Sequence, residues 1–205
     1  MSTTGRRVEL LDQESARAAA ARVGVPAGMA DLSVFRVLLR HEELAARVNG
    51  LLHQLLWKGA LDARLRELII MRIGWVQGSC YEWTQHWRVA RMLDIPEEDL
   101  LAVRDWRAGD RFGGADAAVL AAVDETLEDG AISAGTWAAI EGEVADEAAR
   151  LEVVLAIANW TMFAQLLRSL DVPLEEGVDP WPPDGVQPPR AVAPVSSRLP
   201  PDTST

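Results

Sequence analysis

The chain has 205 residues and a formal charge of −11, with 49% hydrophobic and 25% charged residues, a balance that suits one globular domain and excludes disorder throughout. So acidic a molecule repels a phosphate backbone or an anionic membrane surface unless a local basic patch reverses the field, and no Lys/Arg run supplies one. The single cysteine rules out an internal disulfide and a thiol-rich metal site, which fits a reducing, cytoplasmic setting.

The stretch from Met1 to Ala20 has no continuous apolar segment, and no run of roughly 18 uncharged apolar residues follows, so neither secretion nor a membrane span is expected. Strand alternation and Asn-Gly hairpins are absent, and the fold reads as all α. A first helix is predicted from Asp12 to Val23, stopped by Gly24-Val25-Pro26-Ala27-Gly28. A longer helical stretch runs from Ala30 to Trp57 with a break near Arg40 and His41. It sets Phe35, Leu38, Leu39, Leu44, Val48, Leu51, Leu52 and Leu55 at helical spacings, most of them expected in the core.

Lys58-Gly59-Ala60-Leu61 reads as a connection, after which Asp62 caps a helix from Ala63 to Val76. That helix carries Leu65, Leu68, Ile69, Ile70, Met71, Ile73 and Trp75 and is apolar nearly all round, as at the centre of a bundle. Gly78-Ser79 turns the chain into a helix from Ser79 to Leu93. Pro96 is expected at the first position of the next helix, with Glu97, Glu98 and Asp99 against its N-terminal dipole. Beyond Gly113-Gly114, helices are predicted over Ala115 to Leu127, Ser133 to Glu143 and Ala145 to Leu170.

From Asp171 the chain is rich in proline and is expected to be an extended or disordered tail, with Trp181 a candidate anchor for its first part. The plan is therefore an N-terminal helix and linker over 1–28, a helical domain over 29–170 and the tail over 171–205. Asp146 to Trp160 echoes Asp62 to Trp75 at a constant offset, with Glu152 matching Glu67 and Trp160 matching Trp75. A duplicated helical hairpin would produce this, and so would two near-apolar helices matching by chance.

Glu67 is followed by Leu-Ile-Ile-Met on a buried helix, so its carboxylate must be paired, hydrogen-bonded or neutralised to escape a desolvation penalty of several kcal/mol. An ion pair with Arg64, Arg66 or Arg72 would answer that need without any chemistry. His86 stands one turn after Glu82, so the carboxylate of Glu82 is placed to orient the imidazole. Ser79 lies a further turn back on nearly the same stripe, whereas His41 and His53 have no comparable setting. Tyr81 is a candidate donor to a substrate oxygen or a packing residue. Cys80 lies off the Glu82/His86 line. Trp75, Trp83 and Trp87, with Trp57, Trp106 and Trp160 available from other helices, are either ordinary filling or the aromatic wall of a ligand pocket. Arg72, Arg88 and Arg91 are candidates for holding an anionic substrate. No phosphate loop, metalloprotease helix or set of close metal ligands is present, so neither a metal nor another cofactor is expected.

Leu61 to Ile69 (LDARLRELI) followed by Gly78 to His86 (GSCYEWTQH) resembles the signature of the carboxymuconolactone decarboxylase and alkyl hydroperoxidase D (AhpD) superfamily, over roughly Val34 to Leu170. The resemblance implies a compact all-helical bundle of that type, an active site flanked by Glu67 and His86, and a homo-oligomer, whether dimer, trimer or hexamer. Hydroperoxidase members carry a CxxC pair before the histidine. Ser79 and Glu82 occupy those places here, so peroxide reduction through an internal disulfide should be lost, and the chain looks like the non-redox branch.

The function expected is cofactor-free acid/base chemistry (decarboxylation, isomerisation or a related lyase step) on a small aromatic or lactone carboxylate or carbonyl substrate. Glu67 and His86 would form the relay, Glu82 would orient His86, and Tyr81 or Ser79 would stabilise an enolate oxygen. Ser79, Cys80, Trp75, Trp83, Trp87 and Arg72 would contact the substrate. Two other readings stay open: a peroxidase using Cys80 alone with an external thiol, and a non-catalytic oligomeric ligand-binding protein.

Overall fold

In the computed structural model, residues 7–180 and 184–189 are described, and among them there is no strand. The α-helices are α1 (Gln13–Val23), α2 (Ala27–Ala30), α3 (Ser33–Leu38), α4 (Glu42–His53), α5 (Ala63–Gln77), α6 (Cys80–Met92), α7 (Glu97–Ala102), α8 (Gly114–Asp129), α9 (Ala134–Glu143) and α10 (Glu147–Leu170). A π-helical turn, Gln54–Lys58, extends α4, and a short 3-10 turn, Val103–Asp105, follows α7.

Side-chain caps explain several of the starts. The Asp12 carboxylate accepts from Ser15 N at the head of α1, and Asp62 accepts from Arg64 N and Leu65 N at the head of α5. The stretch expected to run from Ala30 to Trp57 is instead the last residue of α2, the helices α3 and α4, and the π turn. Its break falls at His41, which stands before α4 in a non-helical conformation with its Nδ1 accepting from Leu44 N. Leu44 and Leu51, expected in the core, face outward at 48% and 43% exposure. Pro96 sits one place outside α7, its ψ of 140° being extended, so Glu97 and not Pro96 takes the first helical position.

The centre of the bundle is α5, which packs on α6, α8 and α10. Its near-continuous apolar surface is satisfied because every side meets a helix. Gly78, at φ +67°, ends α5 in the left-handed region, and Ser79 N returns to Gly74 O at 2.8 Å. This cap reverses the chain tightly into α6. Gly74 makes the close approach of the two helices tolerable, because a Cβ there would lie 3.3 Å from Trp83 N.

The apolar interior falls into two clusters. The larger joins α1, α3, α4, α5, α8 and α10, and the smaller joins α5, α6, α7 and the start of α8 around Met71, Trp75, Trp83, Trp87 and Leu100. α10 runs unbroken past the point where α5 turns at Gly78, so the echo between the two stretches spans one helix and no second hairpin. Its most apolar window has a mean hydropathy of 1.4, long and apolar enough by length and composition for a membrane span, although Glu152 and Arg168 leave it short of 18 uncharged residues in a row. Within the molecule 44% of that window is buried, and Leu151, Leu155 and Met162 are left exposed along one side.

Asp171 closes α10 in the left-handed region, and the extended chain after it is packed in place: Val172 and Leu174 touch the larger core. Glu175 collects three donors there, Ser33 N at 2.8 Å, the Tyr81 hydroxyl at 2.6 Å and the Gln85 amide. Trp181 lies outside the described residues.

Candidate active site

Glu67 is completely buried in the middle of α5. Its Oε1 accepts from Arg66 Nε at 3.0 Å, and its Oε2 lies 2.8 Å from His86 Nδ1 on α6. The ion pair that would have made Glu67 merely structural and the contact that would make it catalytic therefore coexist on one carboxylate. Arg66 is itself held by Leu56 O, so the pair is braced from the π turn.

The second nitrogen of His86 settles the tautomer. Trp160 Nε1 of α10 lies 3.1 Å from His86 Nε2, and the two rings meet edge to face. An indole N–H only donates, so Nε2 carries the lone pair and Nδ1 carries the proton that is donated to Glu67. The imidazole is gripped from both ends, its basic nitrogen occupied by Trp160.

His86 and Trp160 lie on the wall of a cavity of about 450 Å³, bounded also by α2, α3, α4 and the π turn. The lining is chiefly apolar, including Phe35, Leu52, Val89 and Phe163, with Tyr81, Glu82, Gln85 and Arg88 as polar members. Trp57 and Met92 line it too and are 66% and 74% exposed. Arg88 makes no hydrogen bond or ion pair among the described residues. A space of this size and character accommodates a small aromatic or aliphatic molecule.

Other expected site residues fall elsewhere. Glu82 does not orient His86, because both imidazole nitrogens are already taken by Glu67 and Trp160. The Glu82 carboxyl is 3% exposed and neither oxygen has a hydrogen-bond partner. Burial holds it well above the usual carboxylate range, opposed only by the neighbouring Ser79 hydroxyl, which does not reach hydrogen-bond geometry with it. Tyr81 lines the cavity, but its hydroxyl is committed to Glu175; burial first, then that carboxylate, push its ionisation upward. Ser79 is buried off the cavity wall, and Cys80 is exposed beside Thr84, outside the cavity lining.

Trp75, Trp83 and Trp87 do not build the cavity. They stack on one another in the smaller core cluster, with the Arg104 guanidinium 4.8 Å from the Trp75 ring. Of the tryptophans expected from other helices, Trp57 and Trp160 line the cavity and Trp106 does not. A helical wheel carries the information for α6, since Trp83 and Trp87 each follow Glu82 and His86 by one residue and so lie about 100° round the axis. Arg72 is spoken for as well, bonded to Asp124 at 2.7 Å and to the carbonyls of Val103 and Arg104, and Arg91 is held by Ile95 O. Among the described residues no three His, Cys, Asp or Glu side chains converge as metal ligands.

The pattern of the carboxymuconolactone decarboxylase family matches residues 42–125, the segment that contains both Glu67 and His86. Over that segment the chain is similar to the carboxymuconolactone decarboxylase family. Solved structures share the fold at low identity. A protein of unknown function from Agrobacterium tumefaciens, a candidate antioxidant defence protein AhpD, aligns with a TM-score of 0.58 at 17% identity, over 62% of this chain and 88% of that one. An uncharacterised peroxidase-related protein from Silicibacter sp. TM1040 gives 0.66 at 12%, over 87% and 97%. The debrominase Bmp8, as a cysteine-to-alanine variant bound to 2,3,4-tribromopyrrole, gives 0.66 at 16%, over 85% and 95%. No curated protein sequence matches the chain.

Proposed function

We propose that the chain is an enzyme of the carboxymuconolactone decarboxylase and AhpD-like superfamily with cofactor-free acid/base chemistry, carrying out decarboxylation, isomerisation or a related lyase step on a small, largely apolar carbonyl or carboxylate compound. The observation that carries the reading is the Glu67–His86 pair, 2.8 Å apart, on the wall of the apolar cavity. A carboxylate behind an imidazole orients it and stabilises the imidazolium formed when the ring takes a proton. His86 Nε2 is the basic atom, so the Trp160 N–H must give way as a substrate C–H or O–H approaches. Arg88, on the cavity wall and without an ion pair among the described residues, suits the carboxylate end of a substrate. Binding of a small halogenated heteroaromatic by Bmp8 supports this size class for the ligand. Self-association, implied by the superfamily, would cover the exposed Leu151, Leu155 and Met162.

Deuterium exchange from D2O into aryl ketones, and turnover of small aromatic and lactone carboxylic acids, test the proposal. Glu67→Gln and His86→Asn should each lower the rate by about 10²- to 10⁴-fold, the usual worth of a positioned general base. Equal rates in wild type and both variants would remove the reading. The exposed Cys80, away from the cavity, gives no support to single-cysteine peroxidase chemistry, and Cys80→Ser should leave turnover unchanged.

A further inference from the structure

With Tyr81 bound to Glu175 and Ser79 off the wall, neither of the two donors expected from the sequence is placed to meet an acceptor oxygen on a ligand. We propose that Glu82, as an un-ionised carboxylic acid, is the donor instead and makes the cavity select molecules bearing an acceptor oxygen over hydrocarbons of the same shape. The inference rests on the cavity being the ligand site, as in the function proposed above, and adds to it the residue that reads the ligand.

Three observations lead there. Glu82 belongs to the cavity wall, is 3% exposed, and leaves both carboxyl oxygens without a partner. An ionised carboxylate in that state would carry an uncompensated desolvation penalty of several kcal/mol, so the group adopts the neutral form. The surroundings agree: the other titratable groups on the cavity wall, Tyr81, His86 and Arg88, all share α6 with Glu82, while α3, α4 and α10 present apolar side chains and the Trp160 indole. From α5, Gly74 backs the Glu82 Cβ, and Glu67 is engaged by Arg66 and His86.

A neutral acid can give a hydrogen bond that a carboxylate cannot, and a buried acid without a partner gains most when a ligand supplies one. Both carboxyl oxygens are shielded from solvent while the residue itself belongs to the wall, so donation to a ligand requires a side-chain rotation that turns the O–H into the space. During turnover the same O–H would meet the oxygen on which enolate charge develops, with His86 Nε2 taking the proton from carbon.

The experiment measures binding of acetophenone and of ethylbenzene to the full chain by calorimetry, in wild type, Glu82→Gln and Glu82→Leu. The preference for the ketone, taken as the ratio of the two dissociation constants, cancels most of the difference in cavity packing. Glutamine keeps a donor and cannot ionise, so its preference should stay within about threefold of wild type, whereas leucine should reduce it by about tenfold or more. Infrared difference spectra at neutral pH should show the carbonyl band of a protonated carboxyl, lost in Glu82→Gln. A preference equal in all three proteins, a loss in Glu82→Gln as large as in Glu82→Leu, no ketone binding to wild type, or no such band overturns the assignment. Glu67→Gln separates this result from the acid/base reading, since it should slow exchange by about 10²- to 10⁴-fold while leaving the ketone preference intact.

Discussion

Two polar networks meet the same central helix and are built on opposite principles. On one side, Asp124 receives Arg72, the Trp106 indole and Arg107, while Arg64 joins Asp99 to Asp116 and Arg111 adds a second bond to Asp99. Burial alone would raise Asp124, but its three donors together hold it below the usual carboxylate range. On the other side, Glu82 has no partner and is displaced upward, and His86 holds its one basic nitrogen against a donor that can leave. A network with every position filled fixes helices in place; one with positions left open can bind something.

The contrast is sharpest in activity. Glu67→Gln should remove two to four orders of magnitude of rate on the cavity side, whereas Asp124→Ala should leave the intrinsic rate of the folded protein nearly unchanged. The effect of Asp124→Ala should instead appear as lost stability, about 3 kcal/mol in urea unfolding, because Arg72 is left largely buried without its partner. Equal rate losses in both variants would dissolve the distinction. Gly74→Ala tests the seam between the sides: the new Cβ presses on Trp83 N, which must move with α6, so activity should fall by about tenfold with a stability cost of about 1–2 kcal/mol.

A finer test uses pH. A carboxyl raised in the fold binds its proton more tightly there than in the unfolded chain, so its contribution is full in acid and is lost as pH rises toward the folded value. Asp124, being lowered, contributes in the opposite sense, and its share is lost as pH falls. Glu82→Gln should therefore raise the melting temperature relative to wild type at pH 8, with the gain vanishing as pH falls to the ordinary carboxylate range. Asp124→Asn should show its largest loss near neutrality and converge on wild type in acid.

Much of this was legible in the residues. The all-helical fold followed from spacing, and Glu67 with His86 from a carboxylate on an apolar helix and a motif in register with it. The partner of His86 on its other side was not, since Trp160 stands 74 positions away and only tertiary packing brings it there. The i, i+4 spacing of Glu82 and His86 suggested a contact that longer-range partners pre-empted. The tryptophans were read as a wall because they neighbour the histidine in sequence, although the helix turns them toward a different cluster. Glu175 could not have been singled out from a proline-rich segment, where composition speaks against fixed structure.

That last residue bears on how the molecule can be cut. One side chain beyond the final helix stitches α3 and α6 together through a backbone amide, a phenol and a carboxamide. A version trimmed at the end of α10 would keep every helix and still unpick the seam beside the ligand chamber, so truncations intended to retain binding should end after Glu175.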